Sequence, residues 1–126
     1  DGPATLTYKG PRQPGTTAVK TRAEHETTIG DPAAAAALLA GLGFLPRVVF
    51  EKRRETWTLG PATITLDELP QLGWFAEIEA PAADDVLALA GRLDLTAAVS
   101  ETYVELAACA GTPDATGAVH LRFERL

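Results

Sequence analysis

Residues 63–79, Thr-Ile-Thr-Leu-Asp-Glu-Leu-Pro-Gln-Leu-Gly-Trp-Phe-Ala-Glu-Ile-Glu, constrain this chain more than any other stretch. Their side chains alternate in character, with an interruption around Pro70 and Gly73. In an extended chain residues two apart share a face, so the pattern predicts two short strands joined by a turn. Thr63, Thr65 and Asp67 then point one way, and Glu77 and Glu79 point one way on the partner strand. Carboxylates from neighbouring strands can converge on one spot. They repel at that distance unless a hard cation or a ring of Lys and Arg neutralises them.

The basic residues follow the same period. Lys20, Arg22, Glu24 and Glu26 alternate along one segment, and Lys52 and Arg54 along another. Arg122 stands between His120 and Glu124, and Lys9 follows Leu6-Thr7-Tyr8. Opposite parities are apolar on several segments: Val119, Leu121 and Phe123, or Trp74, Ala76 and Ile78. For a single strand, a solvated and salt-bridged sheet face is the plainer explanation. Repetition on segment after segment shifts the expectation toward a sheet curled around a polar interior, with helices covering its apolar outside.

The remaining elements follow from local signals. Strands are predicted over 4–9, 18–29, 47–59, 62–67, 74–80 and 118–125. Asp31-Pro32 reads as the N-cap and first position of a helix over 33–42, whose Leu38, Leu39 and Leu42 form a stripe suited to a sheet. Further helices are predicted over 84–93 and 97–108, with a loop at 112–117. The expected class is α+β, mostly antiparallel, in a single domain spanning 1–126.

Composition excludes several functions. A net charge of −6 argues against nucleic acid, which needs clustered Lys and Arg, although a basic cavity inside an acidic protein is allowed. Cys109 is the lone cysteine, so no internal disulfide forms, and a small buried residue fits it better than a nucleophile. No apolar run reaches the ~20 residues of a membrane span, and no signal peptide opens the chain, so the expected location is cytoplasmic. His25 has the opposite parity from Arg22 and Glu24 and is expected outside, whereas His120 can face inward. Zinc-ligand spacing, a phosphate loop and a nucleophile elbow are missing.

Taken together, these motifs resemble the CYTH family, which includes class IV adenylyl cyclases and thiamine triphosphatases. The resemblance rests on Leu6-Thr7-Tyr8-Lys9-Gly10-Pro11, on Lys20-Thr21-Arg22 with Glu24 and Glu26, and on Asp31-Pro32 opening a helix that ends in Leu42-Gly43-Phe44. It continues through Lys52-x-Arg54, Thr65-Leu66-Asp67, Leu72-Gly73-x-Phe75-x-Glu77-x-Glu79 and Ser100-x-x-Tyr103. The wording is most similar to the class IV adenylyl cyclase branch. The resemblance implies a closed antiparallel β-barrel, the triphosphate tunnel, with helices packed outside. Lys9, Arg22, Lys52, Arg54 and Arg122 would match phosphate ligands. Glu77 and Glu79 would match ligands of Mg²⁺ or Mn²⁺ and, with Asp67, the catalytic carboxylates. Glu24 would be a further interior carboxylate.

The implied activity is conversion of ATP to cyclic AMP and pyrophosphate. A thiamine or inorganic triphosphatase and a non-catalytic nucleotide- or polyphosphate-binding module are the alternatives. The implied partner is a nucleoside triphosphate or another triphosphate, with neither nucleic acid nor membrane, and with room for a homodimer. Two departures stand out. The family's opening Glu-x-Glu-x-Lys strand has no counterpart here, and Glu101 and Glu105 have the wrong spacing to replace it. Val119-His120-Leu121-Arg122-Phe123 resembles the strand that precedes Thr-Tyr-Lys-Gly-Pro in the family, yet it comes last. Joining Leu126 to Asp1-Gly2 would restore a hairpin, so a circularly permuted or rearranged order is expected, with 118–125 paired to 4–9. Arg125 is left open as a tunnel residue.

Overall fold

The computed structural model describes residues 2–13, 21–95 and 97–126. The protein is α+β, with eight strands and three helices among the described residues. It divides into two compact units, Asp1–Pro46 and Arg47–Leu126.

In the first unit, β1 (Ala4–Lys9) and β2 (Glu24–Ile29) form an antiparallel ladder with Lys9 opposite Glu24 and Thr7 opposite Glu26. The Gly10 and Gln13 amides extend it by donating to the Ala23 and Thr21 carbonyls at 2.8 and 2.7 Å. Regular strand therefore begins later than the expected 18–29, and Lys20 lies outside the described residues. Helix α1 (Pro32–Gly41) starts as its sequence predicts: the Asp31 carboxylate accepts from the Ala34 amide at 3.0 Å, and Pro32 sits where no amide is needed. Its end is closed by the Gly43 and Phe44 amides donating to the Ala40 and Leu39 carbonyls. Leu38 and Leu42, expected against a sheet, are largely exposed.

The second unit contains β3 (Val48–Phe50), β4 (Arg53–Leu59), β5 (Ala62–Leu69), β6 (Gly73–Glu79), α2 (Ala83–Arg92), α3 (Tyr103–Ala110), β7 (Thr112–Pro113) and β8 (Val119–Leu121). Strands β4, β5 and β6 make one antiparallel sheet, and β3, β8 and β7 another. The strand expected over 47–59 is thus two strands in two sheets, divided at Glu51-Lys52. Leu59 pairs with Ala62 across a two-residue turn in which Gly60, at φ 58, supplies the positive φ that tight hairpins need.

Three further expectations are revised. The helix expected over 97–108 begins only at Tyr103, because Thr102 and Glu105 exchange hydrogen bonds in a capping box. The expected loop at 112–117 contributes the short β7. Strand β8 is shorter than 118–125, runs parallel to β3 and antiparallel to β7, and is not laddered to β1, which pairs with β2. Helix α3 abuts β8 so closely that a Cβ on Gly111 would lie 2.6 Å from Val119 Cγ1 and 2.7 Å from the His120 carbonyl. Among the described residues no sheet closes into a barrel, and no helix is long and apolar enough to cross a membrane. Leu69, Leu121 and Asp67 are the largest fully buried side chains, so a carboxylate lies in the core.

Candidate functional site

The two hairpins of β4–β6 set the site. Cross-strand partners form the rows Arg54–Asp67–Phe75, Thr56–Thr65–Glu77 and Thr58–Thr63–Glu79. Cross-strand partners share a face, so Arg54, Asp67, Glu77 and Glu79 all lie on one side of the sheet, as their parity predicts. The opposite side carries the Arg53–Glu68 ion pair, at 2.9 Å, at one end and is apolar at the other, toward the β4–β5 turn. Trp57, Leu59, Ile64, Leu66 and Ala76 line a hollow of about 410 Å³ there, closed in part by Leu93 just beyond α2. This hollow and the Arg54–Asp67–Glu77 cluster therefore occupy opposite faces of the sheet.

Asp67 is fully buried. Arg54 donates to both its oxygens, from Nε to Oδ1 at 2.7 Å and from Nη2 to Oδ2 at 2.6 Å. This forked geometry is the strongest that a guanidinium and a carboxylate form. Lys52 Nζ approaches Oδ2 at 3.7 Å, and Arg54 Nη2 also reaches Glu77 Oε2 at 3.4 Å. Burial by itself would push the Asp67 carboxyl up, but the Arg54 hydrogen bonds, the Lys52 charge and the Tyr103 hydroxyl outweigh it. The group is held below the usual carboxylate range. The Arg54 guanidinium is pushed up, chiefly by its hydrogen bond to Asp67.

Tyr103, the first residue of α3, meets this cluster. Its ring lies edge-on to Phe75 with centroids 5.6 Å apart, and Lys52 Nζ stands 5.3 Å from the ring centroid. The Tyr103 hydroxyl is buried and makes no hydrogen bond of regular geometry. The hydroxyl still favours the charged form of Asp67. Burial, then the charge of Glu77, pushes the phenol far up, so it stays protonated.

The remaining expected site residues have surroundings of their own. Glu79 is exposed at the far end of the charged face. Arg122 is held by Glu51 at 3.3 Å, where Arg125 also approaches at 3.7 Å and the Phe123 amide donates at 3.1 Å. Lys9 and Arg22 belong to the first unit, where Lys9 pairs with Glu24 at 3.4 Å and the ladder gives Arg22 the parity of Glu24. His25 is exposed and stacks with Tyr8. His120 contacts Asp114 at 2.8 Å in the β7–β8 turn. That carboxyl is held well below its usual range, first by the Thr116 hydroxyl and then by His120. Sequence reasoning assigned no site role to Tyr103 or Glu51. Tyr103 carries a readable signal, since an aromatic at the start of a capped helix projects from a fixed point. Glu51 carries none, because its role depends on a strand break that alternation hides.

Among the described residues no three of His, Cys, Asp and Glu group closely enough to hold a metal ion by themselves. Glu77 and Glu79 nevertheless offer two carboxylates at successive same-face positions of β6. That donor set fits Mg²⁺ or Mn²⁺ arriving with a phosphate, because such ions take one or two carboxylates and complete their shell with phosphate oxygens and water.

A buried, cation-bound carboxylate on the charged face of an antiparallel sheet defines a domain built to arrange fixed positive charge. Residues 1–107 match the CYTH domain model, and the chain belongs to the CYTH domain family. Among solved structures it is similar to the PH1819 protein from Pyrococcus horikoshii OT3, with 32% identity and a TM-score of 0.64 over 81% of this chain and 63% of that one. The chain thus spans less than two thirds of that relative's length. No curated protein sequence matches it.

Proposed function

We propose that this chain binds a triphosphate on the charged face of β4–β6, with Lys52 and Arg54 as phosphate ligands. The observation that carries this reading is the convergence of both cations on a fully buried, ionised Asp67. A merely solvated sheet face would leave that carboxylate in water. Asp67 occupies one edge of the Arg54 fork and fixes its plane, which pre-sets the guanidinium for a second anion and lowers the cost of ordering it on binding.

In this reading the strands close into a triphosphate tunnel, and Lys9, Arg22 and Arg122 add their charge to the phosphates. Glu77 and Glu79 hold Mg²⁺ or Mn²⁺, which neutralises charge on the phosphate oxygens when bound. With both Asp67 oxygens committed to Arg54, an oxygen of Glu77 or Glu79 not taken by the metal would accept the proton of the attacking group. If ATP lies with its α-phosphorus at the cations, the ribose 3′-hydroxyl attacks, pyrophosphate leaves and cyclic AMP forms. If the terminal phosphorus lies there, water attacks it, the diphosphate leaves and orthophosphate forms. The same side chains serve both reactions, and substrate direction decides between them.

The test incubates the protein with ATP and Mn²⁺, and separately with tripolyphosphate, following cyclic AMP, pyrophosphate and orthophosphate. Cyclic AMP with pyrophosphate from ATP supports the cyclase, and orthophosphate without cyclic AMP, accompanied by pyrophosphate when tripolyphosphate is the substrate, supports the triphosphatase. Binding without turnover supports the non-catalytic module. No product, together with binding that is absent or indifferent to Arg54→Ala, overturns the proposal.

A further inference from the structure

We propose that Tyr103 is a positioning residue of the triphosphate site, its ring seating the Lys52 ammonium and its hydroxyl steadying the Asp67 carboxylate that fixes Arg54. The inference rests on the phosphate-binding reading above. Three observations carry it. The Lys52 ammonium lies between two attractors, the Asp67 carboxylate at 3.7 Å and the Tyr103 ring at 5.3 Å from its centroid. A ring face attracts a cation through its quadrupole, so the Tyr103 ring helps to place the ammonium.

Next, the ring is itself located. It packs edge-on to Phe75, which stands opposite Asp67 in the β5–β6 register, and the Thr102–Glu105 capping box fixes the helix end that bears it. Last, the hydroxyl is buried without a regular hydrogen bond. A residue serving packing alone would do better as Phe, because an unpartnered buried hydroxyl is destabilising. The hydroxyl stands beside Asp67, the one fully buried carboxylate among the described residues, and favours its ionised form.

A packing role and a positioning role differ in what Tyr103→Phe does. Packing alone predicts a variant at least as stable that binds unchanged. Positioning predicts a melting temperature equal to or above that of the unsubstituted protein, with tripolyphosphate binding weakened about fivefold. Tyr103→Leu, which also removes the ring, tests the route through Lys52 in a double-mutant cycle. We expect it to weaken binding about tenfold alone and only about fivefold, the share carried by the hydroxyl, when Lys52→Ala is already present. Calorimetric titration of tripolyphosphate into these variants reads every corner, with thermal unfolding run in parallel. Unaltered binding by Tyr103→Phe, together with equal effects of Tyr103→Leu in both backgrounds, overturns the inference and leaves the phosphate-binding reading intact. Failure of the unsubstituted protein to bind tripolyphosphate overturns both.

Discussion

The β1–β2 and β4–β6 sheets use the same sequence pattern and reach different ends. Each sets a cation directly opposite a carboxylate across an antiparallel pair: Lys9 opposite Glu24, and Arg54 opposite Asp67. Lys9 and Glu24 meet at 3.4 Å with side chains 56% and 50% exposed, whereas Arg54 forks onto an Asp67 that is 0% exposed. Water screens the first pair and offers both partners an equal alternative, so its contribution is at most about 1 kcal/mol. The second carboxylate has no such alternative. Alternation selects the face, but burial decides whether a pair on that face shapes the site, and burial comes from a third layer that the strand pattern does not contain. Here that layer includes Tyr103 from α3 and the Phe75 beside it.

Sharpening the contrast calls first for removing each acid in turn. Asp67→Ala should lower unfolding free energy by about 3 kcal/mol, the low end for a broken buried pair because Arg54 keeps some access to water. Denaturant titration measures it. A loss below 1 kcal/mol would place this pair in the same class as the surface one.

Acid should expose the same difference. The folded Asp67 carboxyl is held below its ordinary value of 3.8. Its contribution is therefore complete above about pH 4 and is lost as pH falls through the lower folded value. Asp114 is depressed in the same direction, so acid sensitivity has two sources. Asp67→Asn should remove one of them. The stability gap between it and the unsubstituted protein should be widest near neutrality and narrow below pH 4. A constant gap from pH 7 to pH 3 would show that Asp67 gains nothing from being charged.

The smallest expected effect belongs to the surface pair. Lys9→Ala should change stability by less than about 0.5 kcal/mol, and added salt should erase even that. A larger, salt-resistant loss would remove the distinction between the sheets.

How much of this was legible varied with distance along the chain. The shared face of Thr63, Thr65, Asp67, Glu77 and Glu79 was readable because Gly60-Pro61 and Gly73 lock two local hairpins, and local register obeys alternation. The start of α3 was missed, although Thr102-x-x-Glu105 carries the capping-box signal that sets it at Tyr103 instead of 97. The division of 47–59 was not readable. Val48, Phe50, Lys52 and Arg54 keep one parity across Glu51, and only the distant β8 and the Arg122, Phe123 and Arg125 contacts make that residue a break. Strand β8 takes β3 and β7 as neighbours, a choice that alternation does not dictate. Period identifies a strand, while its neighbour depends on contacts far apart in sequence. The site shows this limit too: Lys52 and Arg54 share a parity, and Arg122 shares only a charge.

Most directly at stake is the claim that the Arg54–Asp67 fork, and not charge alone, organises a phosphate site. Arg54→Lys keeps the charge and cannot form the fork. Calorimetric titration with tripolyphosphate at fixed ionic strength should find its affinity about tenfold weaker than that of the unsubstituted protein, with Arg54→Ala weaker still. Equal affinity of Arg54→Lys and the unsubstituted protein would contradict the account.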